Sequence, residues 1–229
     1  MNKQDLYLVP VPSATNTYAP VSHRNVIDAV YEQLDKHNLH VKEERFNTAR
    51  FGQQLIGYMD IEHPSSKELG MRLAFRNSYD KSMSVAFVAG ANVWICSNGM
   101  VSGELQYVRK HTGGVIREMN DRIINSINEL DSHFERMLSY SDKMKQRGLG
   151  ISDASRMLGE MFIEKDLILP TQLSEVKRQL FNPKYEDFED ESLWSFYNHV
   201  TYSFKDSHPT TYIQQHRDFH EYIVDEFEL

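Results

Sequence analysis

The sequence predicts an α+β fold: an antiparallel sheet of about four strands with a long helix packed on one face, followed by a helical C-terminal part. Three observations carry this. Between Leu39 and Cys96, short segments rich in apolar residues are set off by turn residues, and several of them alternate with a period of two. Beyond Gly113 the period changes to three and four, with Ile116, Met119, Ile123, Ile127, Leu130, Phe134 and Met137 on one stripe. Near the end of the chain, Trp194, Phe196, Tyr197, Phe219 and Tyr222 fall within two further helical stretches.

Residues 1–21 form an extended N-terminal segment, because Pro10, Pro12 and Pro20 sit among Ser, Thr and Asn. Residues 22–150 form the α+β core. Its first helix opens at Ser22 or His23 and runs to about His37, with Val26, Ile27, Val30, Tyr31 and Leu34 at helical spacing; Asn38 stops it. Strands follow at Leu39–Phe46, Phe51–Glu62, Met71–Tyr79 and Ser84–Cys96. The last is apolar on both faces, which places it centrally. One long amphipathic helix then runs from Gly113 to about Arg147-Gly148. Residues 151–229 form a helical C-terminal subdomain with an acidic tail. Its helices run from Ser152 to about Glu164, Leu173 to Leu180, Ser192 to Phe204 and Thr210 to Val224, with Pro170 and Pro183 as breaks.

A chain of 229 residues, 40% hydrophobic, can bury one good core. No stretch approaches the roughly 18 to 20 apolar residues of a membrane span. The start, Met1-Asn2-Lys3-Gln4-Asp5, is unlike a secretory signal, so cytoplasmic residence and no membrane partner are expected. The single cysteine, Cys96, rules out an internal disulfide and a zinc site built from cysteines within one chain. The net charge of −8 is unevenly spread: residues 184–229 hold three Lys/Arg against eleven Asp/Glu, and the rest of the chain balances. A neutral body with an acidic end leaves room for a local basic surface.

Several words of the sequence stand out: Arg76-Asn77-Ser78-Tyr79-Asp80, Cys96-Ser97-Asn98-Gly99-Met100-Val101, Val9-Pro10-Val11-Pro12, Tyr18-Ala19-Pro20-Val21-Ser22 and Leu193-Trp194-Ser195-Phe196-Tyr197-Asn198-His199-Val200-Thr201. Through them the chain resembles, in order and over nearly its whole length, the uncharacterised phage/plasmid-like protein family catalogued as domain of unknown function 932. The resemblance implies a mobile-element origin, in a bacterial host cell, and supplies no reaction. It marks Asn77, Asp80, Cys96, Asn98, Gly99, Trp194 and Asn198 as motif residues, structural or recognition. The order helix, strands, long helix is also similar to the core of single-strand annealing recombination proteins, a topological likeness only.

Candidate binding residues follow from strand parity. Arg72, Ala74 and Arg76 point away from Met71, Leu73 and Phe75. With Arg50, Lys81 and Tyr79, the two arginines can track a phosphate backbone while an aromatic ring stacks a base. The alternative is a solvated face with ion pairs to Asp60 or Glu62. Cys96, with no basic neighbour in sequence, reads as a buried inert thiol. His216 and His220 are one helical turn apart, yet no third ligand is fixed by spacing, so no metal and no cofactor are expected. The expectation is a non-enzymatic protein that binds single-stranded DNA on the sheet face as a homo-oligomer, in annealing or recombination. The alternative is a phage-encoded protein that binds and inhibits a host defence factor through its acidic C-terminal part.

Overall fold

The computed structural model describes residues 1–95, 98–208 and 211–229. Its centre is a five-stranded antiparallel meander, ordered β1 (Val41–Ala49), β2 (Gln54–His63), β3 (Ser66–Ser78), β4 (Val85–Val93) and β5 (Asn98–Arg109). The fold class is the one expected, with one more strand. The extra strand, β5, begins Asn98-Gly99 and carries Ser102-Gly103, residues that in sequence announce a corner rather than a ladder. A register shift between Val88 and Gly90 lets it pair along most of β4.

Register decides what each face meets. Cross-strand partners share a face, so Leu55 of β2 lies with Asn77 of β3, Met59 with Leu73, and Phe75 with Gly57 and Phe87. Gly57 is required here: a Cβ at this position would stand 2.2 Å from the Phe75 ring. This face, with Leu55, Met59, Leu73, Phe75 and Phe87 all buried, is the main core. Packed into the same core are Val26, Ile27 and Val30 of α2 (His23–Lys36), Met119 and Ile123 of α3 (Val115–Asn128), and Phe134 and Met137 of α4 (Leu130–Gln146). Helix α2 starts where Ser22 accepts a hydrogen bond from the Asn25 amide, a side-chain N-cap.

Two expectations change. The long helix is two helices, the first ending and the second beginning at Glu129, whose backbone sits at φ −95°, ψ −1°. The N-terminal segment is not wholly extended. Residues Lys3–Tyr7 form a short helix, α1, capped by Asn2 and anchored by buried Leu6.

The C-terminal helices are α5 (Ile151–Gly159, continued by a π turn over Glu160–Glu164), α6 (Pro170–Phe181), α7 (Leu193–Ser203) and α8 (Tyr212–Phe227). One cluster of buried apolar side chains runs from Leu6 to Ile223, crossing residues 21 and 150. A second, small cluster lies on the opposite sheet face, where Tyr212 and Ile213 of α8 cover Ile56, Tyr58, Ala74 and Val88. That face was expected to be open; its middle is roofed by the start of α8. No helix among the described residues is long and apolar enough to cross a membrane.

Candidate nucleic-acid interface

Of the five residues expected to bind nucleic acid, the structure places Arg72 and Arg76 on the second sheet face, and Arg50, Tyr79 and Lys81 at one end of the sheet. Two of them, Arg72 and Tyr79, are buried. Arg72 is 4% exposed and grips Asp60 of β2, itself 1% exposed, through Nε at 2.6 Å and Nη2 at 2.7 Å. Desolvation works against the charged guanidinium, but the hydrogen bonds and charge of Asp60 outweigh it and raise the pKa. Of the two sequence readings of this strand face, the ion pair to Asp60 is the one found for Arg72, though buried rather than solvated. Arg76, four residues along, is partly exposed, and burial draws its pKa down.

Tyr79 cannot stack a base, because its ring is 6% exposed and lies flat on the imidazole of His23, with ring centres 4.0 Å apart. Its hydroxyl accepts the His23 amide at 2.7 Å. His23 Nε2 lies 2.8 Å from the Gly52 carbonyl, so it must donate there; Nδ1 then accepts from Asn77 Nδ2 at 3.1 Å. The same Asn77 amide nitrogen donates to the Val21 carbonyl at 2.7 Å, and Asn77 Oδ1 lies 2.7 Å from His111 Nε2. Burial holds the His23 pKa down at about 4 and lowers that of His111. Asn77 and Tyr79 thus tie distant chain segments together, a structural role.

Asp80 is a turn organiser. It accepts from the amide and hydroxyl of Ser82, from Gln54 at 2.8 Å and from Arg50 at 3.0 Å. Desolvation opposes, but these partners hold its pKa below the usual carboxylate value. Arg50 and Lys81 are both exposed, with Lys81 Nζ 4.7 Å from the Tyr18 ring centre. The remaining motif residues with described side chains also have structural partners: Asn98 Nδ2 donates to the Asn198 carbonyl at 2.9 Å, Asn198 donates to the Trp194 carbonyl at 3.0 Å, and Trp194 stacks parallel to Tyr197. Cys96 lies outside the described residues.

The structure also forms a site that the sequence did not suggest. A cleft of about 300 Å³ opens on the second sheet face beside the start of α8. Arg45 and Asn47 of β1, Tyr58 of β2 and Arg72 of β3 supply one wall; Tyr185, Lys205 and Tyr212 supply the other. Among the described residues lining it there is no carboxylate. Arg45 is exposed and paired with Glu43 at 2.7 Å, a surface ion pair of at most about 1 kcal/mol that a phosphate can replace. Tyr58 and Tyr212 meet edge to face at 5.4 Å, and burial pushes both phenols up, so they stay neutral hydroxyls. Tyr185 is the partly exposed ring, with Lys205 Nζ 6.0 Å from its centre.

Only Arg45, Asn47 and Tyr58 had a local signal, the parity that puts them on the face of Arg72. Tyr185 and Lys205 arrive from more than a hundred residues away along the chain. His216 and His220 are buried in α8, where Tyr197 bonds His220 Nδ1 at 3.1 Å and Phe204 packs on His216. Among the described residues no group of three His, Cys, Asp or Glu is placed to hold a metal ion. No curated protein and no solved structure matches the chain. The family model described as Domain of unknown function (DUF932) matches residues 11–221, and the chain belongs to that family.

Proposed function

We propose that this protein binds single-stranded DNA in the cleft between the second sheet face and the start of α8, as a mobile-element protein of annealing or recombination. One observation carries the reading: in a chain of net charge −8, this cleft is lined by three cations and three tyrosines and by no carboxylate among the described residues. Phosphate is the natural partner of Arg45 and Lys205, with Arg72, already balanced by Asp60, holding the floor. Tyr185 is a partly exposed ring on which an unpaired base can stack. Association belongs to the same proposal, since β1 is a sheet edge and many protomers on one strand add their weak contacts.

The test is anisotropy of labelled oligodeoxythymidylate at low salt and through a salt series, for the parent and for Arg45→Ala with Lys205→Ala. Binding should weaken steeply with salt. The double variant should lower the log-log slope by roughly 0.7 for each phosphate that is no longer neutralised. A parent that does not bind at low salt, or a double variant equal to it, would overturn the assignment.

A second reading has its own observation. A groove lined by Leu149, Ile151, Phe181 and Phe188 is bordered by Glu189, Asp190 and Glu191, with Phe181 70% exposed. An apolar floor beside three carboxylates suits a basic, amphipathic segment of a host protein. Co-purification of one host protein, abolished in Phe181→Asp, would favour it.

A further inference from the structure

We infer that the ligand is a chain of nucleotides that crosses Lys205, rather than a single nucleotide held in one cleft. The inference rests on the proposed DNA binding and concerns a second site. A larger cleft, of about 680 Å³, lies between α6 and a wall that includes Tyr202, Lys205, His208 and Thr211, and Lys205 lines both clefts. Its walls carry hydroxyls, from Thr171, Ser203, Ser207 and Thr211, together with Arg178 and His208. Glu175 is the one carboxylate among the described lining residues, and Arg178 grips it through two nitrogens at 2.6 and 3.0 Å while Gln179 donates to it at 2.9 Å.

The ridge between the clefts is built alike on its two sides. Tyr202 faces the larger cleft and Tyr185 the smaller, and the two rings meet edge to face with centres 6.2 Å apart. Lys205 Nζ lies 4.4 Å from the centre of Tyr202 and 6.0 Å from that of Tyr185. Lys184 repeats the arrangement at 5.3 and 5.5 Å and donates to the Tyr202 hydroxyl at 3.1 Å. Two ammonium groups straddling two aromatic rings fit a phosphodiester backbone with a base on each side. A mononucleotide fills one cleft and leaves the other to water. An oligonucleotide uses both, with the shared lysine under the backbone between them.

The experiment compares thymidine monophosphate with dimers, tetramers and octamers of deoxythymidylate as competitors, on the full chain. Thr171 is exposed in the first turn of α6, so Thr171→Trp fills the larger cleft without touching the smaller one. Thr171→Glu places a negative charge there and suits a helix N-terminus, which protects the fold. In the parent, affinity should rise by about tenfold or more between monomer and tetramer. Both variants should abolish that rise and keep the parent's affinity for the monophosphate. A rise that survives both variants would overturn the second site and leave the first cleft standing. A tetramer no tighter than the monomer in the parent would overturn it too. No binding by any of these would sink the inference together with the proposed function.

Discussion

Replacing Arg72 by Ala is a test of folding, where strand parity had suggested a test of binding. The guanidinium is 4% exposed and makes two charge-assisted bonds of 2.6 and 2.7 Å to a carboxylate that is 1% exposed. Truncation removes both bonds, strands the Asp60 charge under α8, and takes away the Arg72 side chain packed 5.5 Å from the Tyr58 ring centre. Breaking a buried pair on one side costs about 3–5 kcal/mol. That is a large part of the roughly 5–15 kcal/mol of a whole domain. Urea unfolding followed by circular dichroism reads it directly, with Asp60→Ala and the double substitution completing a cycle. The two single variants should each be destabilised by about 3 kcal/mol or more. Replacing both at once by Met and Leu should cost little, because no charge is left unpaired. An Arg72→Ala protein within about 1 kcal/mol of the parent would refute the reasoning, and would return Arg72 to the surface as a phosphate ligand.

Further outcomes follow from the same structure. Burial holds the His23 pKa down at about 4, below the usual histidine value, so as pH falls the unfolded chain takes up its proton first. Its contribution to stability is full above about pH 6.5 and is lost as pH falls towards 4, at up to roughly 1.4 kcal/mol per pH unit. Melting curves between about pH 7 and pH 4.5 should show this loss, shallower in His23→Gln; equal slopes would contradict the Asn77 network. Phe51 is 99% exposed at φ 58°, in a turn whose neighbours Arg50 and Gly52 are also left-handed. Phe51→Gly should therefore raise stability by about 1 kcal/mol, and a clear loss would mean that the ring is packed. Gly57→Ala should destabilise by about 1–3 kcal/mol, since its Cβ meets the Phe75 ring at 2.2 Å; a neutral result would show that β2 and β3 are less tightly apposed.

Local pattern was enough for most of the fold. Ser22, Asn38 and the stripe from Val26 to Leu34 bound α2 in the sequence much as they do in the structure. The break at Glu129 was hidden because Ile127 and Leu130 keep helical spacing across it. Strand β5 was hidden by residues that usually mark turns. For the site, parity correctly put Arg72 and Arg76 on the face opposite the core. Burial is not a property of one strand: whether that face meets water depends on Tyr212 and Ile213, far along the chain. The motif words were legible as a unit, and their partners explain why. Asn77 bonds Val21, His23 and His111, while Asn98 bonds Asn198, so segments far apart in sequence share one set of hydrogen bonds.

The central claim is where the strand lies, and photo-crosslinking tests it most directly. Single-stranded DNA carrying a halogenated base, irradiated on the full-length protein and mapped by mass spectrometry, should attach to peptides containing Tyr185 and Tyr202 and to the β1–β2 region holding Arg45 and Tyr58. These residues line the two clefts that meet at Lys205. Attachment confined to the Arg50 to Lys81 end of the sheet, or no attachment at low salt, would contradict the account.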